Sequence, residues 1–330
     1  MLRHLVRRPL IQVLPILLIG CATRPRARVA DLTPTAPTAE LWTGEGLAGK
    51  RILTEHFELI ATLGDEALME ALPDFLEQAY TCYVETLPPP DSAGRTGSKR
   101  RLTTYVFGHR SQWEHYLRRR HPAWLDVHGW IRHGGFTDGT TSYSFFTNRP
   151  ATLATVAHEG WHQYVARFYP DTLPAWLNEG LACGFESVAY ESKGPRFRPR
   201  RNPWRLNTLR KALQQDRLIP LEELLAMETS ELADRREAGI AERYYAQSWA
   251  LVTWLRFEGE PKRKRAFDRM LQDVRAGTFR AKVTGAVLTE SRLHDAPFPR
   301  AAYVFYFDET PADAWDAYYE YLVRLVGFAR

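Results

Sequence analysis

The chain has 330 residues, 45% of them hydrophobic and 25% charged, which excludes wholesale disorder and suffices for one large folded body or two modest ones. Lys and Arg outnumber Asp and Glu by 44 to 39, and the first twenty residues hold three of the arginines and no acid, so the formal charge drops from +5 to +2 without them. That small excess gives no basis for nucleic-acid binding, and none is expected.

The chain opens on a basic head (Arg3, Arg7, Arg8) and the apolar run VLPILLIG, the order of an export signal and too short a run to span a bilayer. The run closes on Leu18-Ile19-Gly20-Cys21, which resembles the bacterial lipoprotein signal. The resemblance implies that residues 1–20 are removed, that Cys21 is lipidated, and that the protein is held at a membrane of the cell envelope by its N-terminal lipid. Ala22 stands where an Asp would resemble an inner-membrane retention signal, which favours the outer membrane, facing the periplasm, in a two-membrane bacterium. Residues 21–48 are rich in Pro, Thr and Ala and read as a tether, with folding expected to begin near Lys50. Of the remaining cysteines, Cys82 and Cys183 are expected to be buried and free.

HFELIATL (56–63) alternates like a strand, and residues 65–87 place Leu68, Leu72, Phe75, Leu76, Ala79 and Tyr83 at helical spacing. A loop rich in Pro, Gly and Ser leads to LTTYVF (102–107), a second strand, and SQWEHYLRR (111–119), a helix. Residues 127–147 carry Gly-rich turns among β-branched and aromatic residues and read as a hairpin or edge strand ending near Phe146. After Pro150 the spacing predicts helices over 151–169, 174–189, 203–215, 220–228, 241–257, 261–276 and 311–326. The expected fold class is α+β, with an α/β part (49–150) followed by a mainly helical part (151–330).

The first of these helices contains His158, Glu159 and His162 in the order His-Glu-x-x-His. Residues four apart share a helix face, so both imidazoles can point at one metal ion, and Glu159 can reach a water on it. This is the arrangement of zinc-activated hydrolysis: imidazoles hold the ion, the ion acidifies a water, and a carboxylate takes its proton. A third ligand is needed, and Glu179 in PAWLNEGLACGFE supplies one if the YPDTLP turn folds the second helix back beside the first.

With His158, Glu159, His162 and Glu179 in this order, the sequence resembles the gluzincin peptidases of thermolysin and aminopeptidase type. It is more closely similar to the peptidase-MA-like group of bacterial proteins, in which an α/β segment precedes the motif and a YxQSxALVxxL helix, here YYAQSWALVTWL, follows it. The resemblance implies a thermolysin-like catalytic domain, Zn²⁺ on His158, His162 and Glu179, Glu159 as general base, and a peptide or protein substrate. It also implies an oxyanion-stabilising Tyr, for which Tyr244 and Tyr245 are the candidates, and a substrate-binding edge strand, for which TTSYSFF is the candidate. Cys183 stands where thermolysin-like enzymes carry a carboxylate that orients a zinc-bound His, so that support is expected from Asn178 or Glu186. The Gly-x-Met-Glu-Asn strand of aminopeptidases is missing, which favours an endopeptidase.

Two features stay outside this scheme. KGPRFRPRRNPWR (193–205) is either a solvated loop or a patch for an anionic surface, and His133 is expected at the surface rather than as a ligand. The alternative function is an envelope lipoprotein that keeps a non-catalytic zinc site for structure or binding.

Overall fold

The computed structural model describes residues 38–327 apart from 91–99, 130, 132–133, 171, 192–193 and 235–238. The export signal, Cys21, the tether up to residue 37 and His133 lie outside the described residues.

Strand β1 (Thr38–Gly44) pairs antiparallel with β2 (Leu47–Leu53), from Thr38 opposite Leu53 to Gly44 opposite Leu47. Glu45 and Gly46 between them both have positive φ, 52° and 79°, the backbone a tight two-residue hairpin needs. Ordered structure therefore starts at least twelve residues before Lys50, inside the expected tether. Pairing with β2 makes β1 a strand; its own pattern carries no such signal, and Leu41 within it is 93% exposed.

β3 (Phe57–Ala61) continues the sheet antiparallel to β2, and β4 (Leu102–Phe107) and β6 (Thr141–Phe145) follow in parallel. β5 (Gly135–Asp138) closes the sheet antiparallel to β6, giving the order β1-β2-β3-β4-β6-β5. The TTSYSFF segment is thus an interior strand, and GFTD before it is the edge. The hydroxyls that read as protection of an edge are buried instead: Ser142 and Thr104 face each other 3.5 Å apart, and Thr104 donates to Gln163 at 3.2 Å.

Helices α1 (Glu66–Thr86) and α4 (Arg149–Phe168) pack together against the sheet, while α2 (Arg110–Arg120) and α3 (Pro122–His128) cover a separate aromatic cluster of Phe107, Trp113, Tyr116, Phe136, Tyr143 and Phe145. Asp65 ties the starts of the first pair together. It caps α1 by accepting from Leu68 N at 3.0 Å, and it takes two hydrogen bonds from Arg149, at 2.7 and 2.8 Å. Farther along, Tyr83 donates to Ala157 O at 2.6 Å and Tyr164 to Leu87 O at 2.6 Å.

The rest is helical apart from the hairpin β7 (Val188–Glu191) and β8 (Gly194–Phe197). The helices are α5 (Ala175–Gly184), α6 (Pro203–Gln214), α7 (Leu221–Ala226), α8 (Thr229–Asp234), α9 (Ile240–Thr253), α10 (Pro261–Arg275), α11 (Phe279–Thr289), α12 (Phe298–Phe307) and α13 (Pro311–Leu325). One hydrophobic core runs from Ile52 to Val326, so the fold is mixed α+β with no break in the core at residue 150.

Candidate metal centre

Helix α4 starts on Asn148, whose side chain accepts from Ala151 N at 2.9 Å, with Pro150 in the first turn. Its apolar residues Leu153, Val156, Ala157, Trp161 and Tyr164 are buried against α1 and the sheet side, which fixes the rotation of the helix and turns His158 and His162 toward α5. Gly160 is small for a reason: a Cβ there would stand 2.6 Å from the Tyr83 hydroxyl.

His158 Nε2 and His162 Nε2 lie 3.1 Å apart, and each is 3.3 Å from Glu179 Oε2 on α5. All three side chains are mostly buried, and Glu179 Oε2, within ion-pair reach of both rings, is hydrogen-bonded to nothing. Leaving a buried carboxylate oxygen without a donor costs about 1–3 kcal/mol, more when charged. Burial works against ionisation of Glu179, yet the imidazoles of His162 and His158 outweigh it and hold its carboxyl well below the usual range. Burial likewise opposes a proton on His158, but contacts with Cys183, Glu179 and Glu186 hold its pKa well above the ordinary imidazole value. The carboxylates and imidazoles of the cluster thus favour one another's charged forms. Two imidazoles and one carboxylate converging on one point, with an unpaired acceptor among them, form a donor set that could hold a metal ion, and their donor atoms all fall within 4.8 Å of one another.

A second cluster of potential ligands, His158, Cys183 and Glu186, shares one histidine with the first. Its carboxylate is already saturated: Glu186 accepts from His158 Nδ1 at 2.9 Å, from Arg205 Nε at 2.8 Å and from Asn202 Nδ2 at 2.7 Å, with a further bond from the Arg205 terminal nitrogen. Despite burial, Arg205 and His158 keep Glu186 ionised far below the usual carboxylate range. Burial pushes the Cys183 thiol up to about 11 against the pull of Arg205. Glu186 therefore orients the ring of His158 from behind and leaves Nε2 for the metal point. Asn178 does not share this task, because its Oδ1 accepts from Trp161 Nε1 at 2.9 Å. Cys82 is half-buried and Cys183 buried, and both are free.

Glu159 is buried at 7% exposure next to the cluster. The Thr137 hydroxyl, on the edge strand β5, lies 2.8 Å from its Oε2 and 3.2 Å from its main-chain oxygen. Tyr245 is half-buried, with its ring 6.1 Å from that of His158, edge to face, and the Arg205 guanidinium 5.3 Å above its ring centre. Burial and the charges of Glu179 and Glu159 raise its pKa well above the phenol value, so it remains a donor. Tyr244 is not at the site: it is fully buried and donates to Met227 O at 3.4 Å. Its helix turns the neighbour toward the metal point and Tyr244 into the core.

Sequence reasoning missed Thr137, Asn202 and Arg205. The Asn-Pro pair at 202–203 is a helix-start signal, and Asn202 does cap α6 by accepting from Arg205 N at 3.2 Å, but nothing in the spacing connects it to Glu186. Arg205 ends the basic run 193–205, yet its side chain is largely buried, unlike a solvated loop arginine.

A family model described as a protein of unknown function (DUF1570) matches residues 152–275, a span that holds His158, Glu159, His162, Glu179, Glu186, Arg205 and Tyr245. No curated protein matches the chain.

Proposed function

We propose that the protein is a zinc-dependent peptidase of gluzincin type, acting as an endopeptidase, and that its sheet followed by the two ligand-bearing helices is a thermolysin-like catalytic domain. One observation carries this reading: His158, His162 and Glu179 converge around an unpaired buried carboxylate oxygen, directly beside a buried Glu159. Zinc held by these three residues would supply a Lewis acid that acidifies water and polarises a peptide carbonyl.

The protein's own groups account for the remaining tasks. Thr137 holds Glu159 Oε2, leaving Oε1 to take a proton from the attacking water and return it to the departing amine nitrogen. The Tyr245 hydroxyl, kept protonated, donates toward the developing oxyanion. β5, last in the sheet and joined to Glu159 through Thr137, offers its main-chain edge to an extended peptide. In this reading the chain works at the cell envelope, lipid-anchored through Cys21.

The purified protein is expected to bind about one zinc per chain by elemental analysis, and mass spectrometry should detect cleaved members of a broad peptide library. Glu159→Gln should keep the zinc and lose at least about a hundredfold in turnover, since an amide cannot relay the proton. Zinc binding with no cleavage of any peptide favours the alternative, a lipoprotein with a non-catalytic zinc site. Equal cleavage by zinc-loaded Glu159→Gln removes Glu159 as the base.

A further inference from the structure

Behind α5, on the side away from Glu179, lies a cavity of about 300 Å³ bounded by the end of α1, by α5, by β8 and by α9 with the turn that follows it. Helical period puts Gly180, Leu181 and Gly184 on this side while Glu179 faces α4. Most of the wall is apolar: Leu181, Phe197, Trp249, Val252 and Phe257.

One cation breaks the apolar lining. After Thr253 the chain widens into a π-helical turn, Trp254–Glu258, closed by Gly259 N donating to Trp254 O at 2.5 Å, and this turn brings Arg256 to the cavity. Such a turn is a common way for a helix to end, and here it sets the direction of Arg256. The guanidinium lies 5.0 Å from the centre of the Phe257 ring and has no hydrogen bond or ion pair among the described residues. Burial lowers its pKa, opposed only by the more distant Asp268, which is itself exposed. By contrast, the nearby Arg205, Arg200 and Arg263 each bind a carboxylate. A guanidinium carries five donors in a fork that matches a carboxylate, and among the described residues that of Arg256, half-buried at the cavity wall, has those donors free for one.

We propose that this cavity is a binding site for a medium-chain fatty carboxylate, with the carboxylate on Arg256 and the alkyl chain along Leu181, Phe197, Trp249, Val252 and Phe257. The volume lies at the lower end of ligand pockets and suits a short, slim molecule. Glu85, exposed at the mouth and out of ion-pair reach of Arg256, repels a second carboxylate and selects a monoacid. The site is independent of the zinc reading, since none of the metal-point residues lines it.

Octanoate is the probe, with octanol and the diacid suberate as controls, titrated into the full chain by calorimetry. Octanoate is expected to saturate one site and raise the thermal midpoint, with both controls at least tenfold weaker. Arg256→Gln should retain the wild-type circular dichroism and lose at least tenfold in octanoate affinity. Bound octanoate should also slow alkylation of Cys82, which lines the cavity, as read for that cysteine alone by peptide mass spectrometry. The proposal is overturned by an absence of saturable octanoate binding, by octanol binding equally well, or by Cys82 alkylation at an unchanged rate under saturation. Undiminished affinity in Arg256→Gln overturns it too; if that variant does not fold, the wild-type comparison and the Cys82 rates decide.

Discussion

Thr137 has one hydroxyl hydrogen to give, and it goes to Glu159, a group whose proposed work is to receive and release another. Removing that hydroxyl would leave a buried carboxylate oxygen short of a donor, and hydrogen bonds to charged groups contribute roughly 1.5–3 kcal/mol. Thr137→Val is therefore expected to lower kcat about tenfold or more while zinc content and KM stay close to wild type, and Thr137→Ser should restore most of the rate. Steady-state kinetics on a peptide cleaved by the wild type, with metal analysis of each variant, provides the test; an unchanged kcat in Thr137→Val would show that the hydroxyl does nothing for the base. His158, Glu159 and His162 were legible in the sequence because their spacing within one helix fixes their geometry, and Glu179 because the short turn before α5 folds its helix back beside α4. Thr137 was not, because it arrives from a strand 22 residues earlier through pairing that no local pattern announces. Arg205 was hidden for the opposite reason: it sits in a conspicuous basic run whose composition describes a solvated loop, while its own side chain turns inward to Glu186.

At the scale of elements, the position of Glu179 depends on how closely α5 approaches α9. Gly180 permits that approach: a Cβ there would fall 2.5 Å from both Ser248 O and the Val252 Cγ2 methyl, and the first of these is backbone that cannot rotate away. Gly180→Val must push the two helices apart, and such overpacking costs about 1–3 kcal/mol. A lower thermal midpoint together with weaker zinc binding is the expected outcome, because the displaced helix carries Glu179, the proposed third ligand, next in sequence. Calorimetry and a zinc titration test it, and an unaltered zinc affinity would mean that the metal point does not rely on this contact. The long amphipathic helices α1, α4, α9, α10 and α13 were readable from their apolar period. Helix α12, FPRAAYVFYF, was not, since it spans only ten residues, seven of them buried, and its aromatic and β-branched run reads as readily as a buried strand. β1, β7 and β8 escaped for a different reason: each is a strand defined by the partner it pairs with rather than by its own pattern.

At the scale of the whole molecule, the signal-like start of the sequence and the folded body are two separate statements. No helix among the described residues is long and apolar enough to cross a membrane; the proposed attachment is through Cys21. Cys21→Ser is expected to shift the protein from the membrane fraction to the soluble fraction without altering its zinc content. A variant that stays membrane-bound would locate the attachment elsewhere.

The tyrosine hydroxyls that join α1 to α4 bear on how the chain reaches this state. Tyr83 on α1 finds its acceptor at Ala157, 74 residues later, and Leu87 O at the end of α1 waits for Tyr164, 77 residues later. When the last strand of the sheet has been made, at Phe145, the side of α1 that faces α4 still lacks its cover, and these polar groups still lack partners. The α/β portion is therefore no free-standing folding unit: the loop closures that stabilise it span the very helix that carries His158 and His162, so completion of the sheet layer and assembly of the metal point belong to one cooperative step.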